Sequence, residues 1–278
     1  MFLNLKSLKK FVIFIGLIQF VSIKSMEIKL SSKDKDKKEF TVDKEKIVAL
    51  SGLVRTSLEA DASATEVPIL GVASRELGFI AGNINNIYGQ NEEQIDKSLS
   101  DLINKLSDEE LIELINAANY MDIPLLLNVL IKKFAARLVK DKSKMGLVEK
   151  LFFGALQRTI LKAIEDVQKN LNNALIKAIT NDYNRLQKSE NEITNEFLEL
   201  VQLGADVNVK SNSAFSYATP LIIAAQKNYI EIVKILIAVG ANLNIVNMWG
   251  DSALKIAKGA AGGHHIANLL KEAGARDF

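Results

Sequence analysis

Cysteine is absent from the 278-residue chain, and histidine is reduced to the adjacent pair His264-His265. The first absence excludes disulfides, thiolate-ligated zinc and cysteine nucleophiles. The second leaves imidazole acid–base chemistry almost nothing to work with. An excess of one charge is lacking too: 35 basic side chains stand against 33 acidic ones, and only 6 of the basic ones are Arg. Nucleic-acid binding needs a concentrated basic footprint, and bidentate phosphate recognition favours Arg, so no nucleic-acid partner is expected. What is plentiful is ordinary core material, with 48% hydrophobic residues. Such a composition speaks against an enzyme, offers no catalytic, cofactor or metal residue, and suits one or two domains.

The first 25 residues differ from the rest. Lys6, Lys9 and Lys10 precede an apolar run from Phe11 to Ile23, and Lys24-Ser25-Met26 leads into charged sequence. A basic start, a short apolar stretch and a small residue before the cut describe a secretory signal peptide over 1–25. The run is shorter than the roughly 20 residues a spanning helix needs, so no stable membrane span is expected. The product would be secreted or periplasmic, with delivery to a host cytoplasm as one destination. An uncleaved anchor and a start at Met26, which would leave the protein cytoplasmic, are the alternatives.

From Met26 the pattern alternates. Ile28 and Leu30, then Phe40 and Val42, predict an antiparallel hairpin around a polar tip. Asp43 precedes one helical stripe through Ile47, Val48, Leu50, Val54 and Leu58. Glu66–Leu70 reads as an edge strand because of Pro68. Ser74 opens a helix carrying Leu77, Ile80, Ile84 and Ile87, and the polar stretch 89–100 reads as a loop. Ser107-Asp108-Glu109-Glu110 is a capping box, and Pro124 restarts a helix that runs to Leu138. Strands followed by packed helices give an α+β domain.

Ile28-Lys29-Leu30-Ser31-Ser32, Phe40-x-Val42-Asp43 and above all Ala117-Ala118-Asn119-Tyr120-x-Asp122-Ile123 carry a resemblance. Residues 26–138 resemble the S-phase-kinase-associated adaptor family, the small POZ (BTB-like) fold of SCF ubiquitin ligases. The resemblance implies an adaptor whose Asn119 and Tyr120 dock on a cullin-type scaffold. In the alternative, the pair only shapes a helix break, Asn119 taking a left-handed conformation. The family's acidic insertion is missing, and Lys140–Phe153 lacks its acidic helix and Trp-bearing tail. F-box binding is therefore the part of the inheritance that the residues carry least.

Helical periodicity from Leu147 to Leu171 makes 139–170 a docked helical linker, with Gly154 as its weak point. Behind it the chain repeats. Gly204-Ala205-Asp206-Val207-Asn208 returns as Gly240-Ala241-Asn242-Leu243-Asn244 and as Gly274-Ala275-Arg276-Asp277, while Thr219-Pro220-Leu221 returns as Ser252-Ala253-Leu254. Period and order resemble the ankyrin repeat, an all-α solenoid of about three units over 171–278, the first degenerate. The resemblance implies a protein target held at hairpin tips, here Lys210–Tyr217, with Phe215 and Tyr217, and Asn247–Gly250, with Trp249. Trp249 has an alternative role as packing between hairpins.

His264 and His265 diverge on a helix and have no third His, so no metal is expected. Gly259, Gly262 and Gly263 follow rather than precede Lys258, which suits a helix–helix turn and not a phosphate loop. Together these features describe an adaptor linking a cullin-type ubiquitin ligase scaffold to a target, acting as a secreted effector. A scaffold protein whose POZ-like domain self-associates is the alternative.

Overall fold

The computed structural model describes residues 27–35, 37–180, 189–211 and 217–277. The expected signal peptide lies outside the described residues. The chain divides into two compact units, one running to Leu130 and the other starting at Ile131. That divide falls inside the helix Pro124–Lys140 rather than at the expected boundary after Leu138.

In the first unit the alternating residues do what their period demands. β1 (Glu27–Ser32) and β2 (Glu39–Asp43) pair antiparallel, with Ile28 opposite Val42 and Leu30 opposite Phe40. β3 (Glu66–Ile69) joins the other side of β1 in parallel, so the sheet order is β2-β1-β3. Pro68 thus sits on an edge strand, where a residue without an N–H is tolerated.

The stripe from Ile47 to Leu58 is two helices and not one: α1 (Lys44–Leu50), capped by Asp43, and α2 (Gly52–Ala60). The break is imposed from a distance. Ser51 is fully buried; its Oγ donates to the Met121 carbonyl at 2.5 Å and accepts from Val54 N at 3.2 Å. Gly52 N donates to the Asp122 carbonyl at 3.0 Å, and a Cβ on Gly52 would lie 1.9 Å from Asp122 Oδ2. The 117–123 segment therefore dictates where α1 ends.

α3 (Ser74–Gly82) shows the same habit. Its N-cap, Ala73, has no side chain that could cap. Asp34, from the β1–β2 connection, takes over by accepting from Ser74 N at 2.6 Å and from the Ser74 hydroxyl. The Ser74 hydroxyl, then the Ser74 N–H, holds the Asp34 carboxyl below its ordinary range. A short α4 (Ile84–Ile87) follows.

The stretch expected as a loop over 89–100 is largely helix. α5 (Glu92–Asn104) starts at an Asn91/Gln94 capping box and buries Ile95, Leu99 and Ile103 completely. Its apolar stripe is one residue wide, so composition averaged over the segment hides it. Burying three such side chains is worth about 1.5–3 kcal/mol each, enough to hold a polar helix on the core. α6 (Asp108–Tyr120) begins with the expected Ser107/Glu110 capping box, and α7 spans Pro124–Lys140.

The second unit begins within α7. A 3₁₀ turn (Lys142–Lys144) and α8 (Gly146–Leu151) lead to Phe152, whose ring meets that of Phe134 edge-on at 5.8 Å. Gly154 takes φ +61°, which turns the chain into the 27-residue α9 (Gly154–Thr180). The expected boundary between linker and repeats, 170/171, lies in the middle of this helix. α10 (Glu190–Gln202), α11 (Pro220–Lys227), α12 (Ile230–Ala238), α13 (Ala253–Gly259) and α14 (His264–Glu272) complete the unit. α9, α11 and α13 stack in one row, and α10, α12 and α14 in the other. Leu175, Phe197, Leu221, Val233, Leu254 and Ile266 belong to the continuous core between them.

One hydrogen bond recurs along the turns. Asn172 Oδ1 accepts from Asp206 N, Asn208 Oδ1 from Asn242 N, and Asn244 Oδ1 from Arg276 N, each at 2.8 Å. The first rung comes from α9, a helix, where the later ones come from turns. Gly204, Gly240 and Gly274 all have positive φ, between +79° and +97°, at the end of each second-row helix. Among the described residues no helix is long and apolar enough to cross a membrane.

Candidate protein-binding surface

The hairpin between α12 and α13 is organised by one side chain. Val246 bridges Ser252, and Asn247 N donates to the Asp251 carbonyl at 3.1 Å. Asn247 is buried, and its Oδ1 accepts from Trp249 N at 3.0 Å and from Asp251 N at 2.9 Å. Gly250 closes the turn at φ +77°. With the backbone tied inward, the side chains between these bonds are turned out: Met248 is 62% exposed and Trp249 63%, with Val246 beside them. Trp249 is thus presented to solvent rather than packed away. Met248 and Val246 were not singled out by sequence; the signal was there in Asn247, an Asx-type acceptor two residues before an aromatic.

The preceding hairpin occupies the same register with different residues. Ser211 N donates to the Ala218 carbonyl at 3.0 Å, as Asn247 N does to Asp251. Tyr217 stands where the next unit has Gly250, and it holds φ +62° while remaining 56% exposed. A bulky side chain in the left-handed region costs roughly 1–2 kcal/mol. Phe215 lies outside the described residues.

In the first unit, Asn119 and Tyr120 both stay in the last turn of α6, and both are exposed, Tyr120 by 46%. The left-handed residue in this segment is Asp122, at φ +51°, not Asn119. The Tyr120 ring lies against Gly71, where an added Cβ would come within 2.4 Å of Cε2. Exposed Leu70 precedes that glycine. The glycine lets the ring lie flat on the β3–α3 turn while its rim stays open to solvent, an arrangement suited to contact with another protein.

The polar clusters elsewhere are structural. Arg75 bonds Glu76 at 2.7 Å, Glu110 at 3.0 Å, and Glu113. Its pKa is raised, first by the Glu76 hydrogen bond and then by the neighbouring carboxylate charges. His264 and His265 are both exposed in the first turn of α14, and among the described residues no group of three His, Cys, Asp or Glu is placed to hold a metal. Gly262, at φ +81°, and Gly263 form the turn between α13 and α14.

A family model described as ankyrin repeats, in three copies, matches residues 187–277. No match is found among curated proteins. Ankyrin repeats are protein-interaction modules, which places the recurring turns and the open tip of the second unit in a protein-binding role.

Proposed function

We propose that the protein is an interaction adaptor in which the ankyrin array holds a target and the first unit engages a cullin-type scaffold of a ubiquitin ligase. The target-binding half rests on one observation: the Val246–Trp249 tip, with its backbone locked by Asn247 and its apolar side chains outside. Large apolar side chains exposed on a rigid frame are the material of binding hot spots. The scaffold-binding half rests on the resemblance of residues 26–138 to the S-phase-kinase-associated adaptors, and on the exposure of Asn119 and Tyr120 beside Leu70. The basic, then apolar start of the chain supports export before either contact is made. An adaptor with a cullin partner would then work in a host cytoplasm.

Binding of the purified full chain to a purified cullin scaffold tests the reading. Asn119→Lys and Tyr120→Lys are expected to weaken the complex about tenfold or more, with Trp249→Ala neutral. No association, or variants indistinguishable from the parent, removes the ubiquitin link and leaves the ankyrin role standing. Light scattering that finds a dimer broken by Tyr120→Lys would instead assign the patch to self-association. Amino-terminal sequencing of the exported protein should begin at Met26.

A further inference from the structure

A cavity of about 600 Å³ lies inside the second unit, away from the Val246–Trp249 tip, between the end of α7, the 3₁₀ turn, α9 and residues 209–211. Its size falls in the roughly 300–1,000 Å³ range of small-molecule sites. Leu138, Met145, Ile164, Ile176 and Val209 supply its apolar wall. From Ile164 to Ile176 this wall follows α9 for about 18 Å at the helical rise.

The charges at its edge are of one sign. Lys142, Lys169 and Lys210 come from three different elements, and Glu165 is the one acid lining the cavity. None of the three lysines is in an ion pair among the described residues. Ser211 is 1% exposed, and its Oγ finds no hydrogen-bond partner. A buried hydroxyl left unpaired is costly, and a polar atom of a ligand would relieve it. Asn172 is not available in the same way, because its Oδ1 already accepts from Asp206 N and from Gln168 Nε2.

We propose that this cavity binds a small amphipathic anion, an apolar carboxylic acid whose chain lies along α9 and whose carboxylate meets the Lys142, Lys169 and Lys210 rim. The charges argue against the chain's own apolar segment as occupant, since Phe11–Ile23 is flanked by Lys6, Lys9, Lys10 and Lys24 and would bring cations to cations. The cavity is distinct from the hairpin tips and independent of the adaptor reading.

Titration calorimetry of the full chain with dodecanoate, dodecanol and dodecyltrimethylammonium, each below its micelle concentration, tests the assignment. Dodecanoate should bind about tenfold more tightly than the alcohol, and the cation more weakly still. The double variant Lys142→Glu/Lys169→Glu, both exposed positions, should lose about tenfold for dodecanoate while leaving dodecanol unchanged. Asn173→Trp, an exposed helical position on the cavity wall, should abolish both, with circular dichroism reporting an intact fold. Equal affinity for acid and alcohol, binding unaffected by Asn173→Trp, or no binding of any probe overturns the proposal. So would failure of dodecanoate where an acidic apolar peptide binds, which would assign the cavity to a protein partner.

Discussion

The two units hold their turns in opposite ways. In the first, each irregular point has its own partner: Ser51 and Gly52 are tied to Met121 and Asp122, and α3 is capped by Asp34 from the β1–β2 connection. In the second, one device recurs, an asparagine oxygen reaching the same backbone N–H of the next turn. A repeating fold needs a solution that works at each interface, whereas a domain closed on itself can use each solution once. Damage should therefore be concentrated in the first unit and shared out in the second.

The largest expected effect is nevertheless steric and lies in the second. Gly263→Ala would place a Cβ 2.0 Å from the Ala257 carbonyl, with rigid backbone on both sides of the clash. Loss of about 3 kcal/mol or more is expected by denaturant titration, and a smaller loss would mean that the α13–α14 turn can shift. In the first unit, Ser51→Ala strips a buried carbonyl and a buried N–H of their partner, for about 2 kcal/mol. Hydrogen exchange should show that loss at the 117–123 segment and at the start of α2.

The rungs test the sharing directly. Asn172→Ala, Asn208→Ala and Asn244→Ala should each cost about 1 kcal/mol, one hydrogen bond at a partly exposed site. If Asn172→Ala costs the same as the others, α9 serves as a full member of the array; if it is neutral, the array starts one unit later. The smallest effect has the reverse sign. Tyr217→Gly relieves the φ of +62° and should raise stability by about 1 kcal/mol or slightly less, because glycine loses more backbone freedom on folding. If Tyr217 belongs to the binding surface, the more stable variant will bind target more weakly.

How far the chain could be read before its structure depended on how its information is laid out. The hairpin of Ile28, Leu30, Phe40 and Val42 is visible because strand period and burial coincide. The Gly-Ala-x-x-Asn recurrences show themselves by repetition, whatever each residue does singly. α5 was missed because Ile95, Leu99 and Ile103 form a stripe one residue wide among ten polar neighbours. The break at Ser51 could not be read, because nothing in 44–60 announces a bond to residue 121. The continuity of α9 across the expected boundary was hidden for a related reason, since linker and first repeat share one helical period. Of the surface residues, Trp249 stood out by rarity, but its exposure depends on Asn247 and a turn closed by Gly250.

The opening absences keep their meaning. By itself the sequence determined the classes of chemistry the protein lacks the side chains for, the paired strands, and the ankyrin periodicity, because each is written in residue type or in short-range order. Tertiary structure alone decided where helices stop, which asparagine begins the ladder, and which apolar side chains stay outside. Those outcomes depend on hydrogen bonds and packing between residues far apart in the chain, whose energies no local pattern contains.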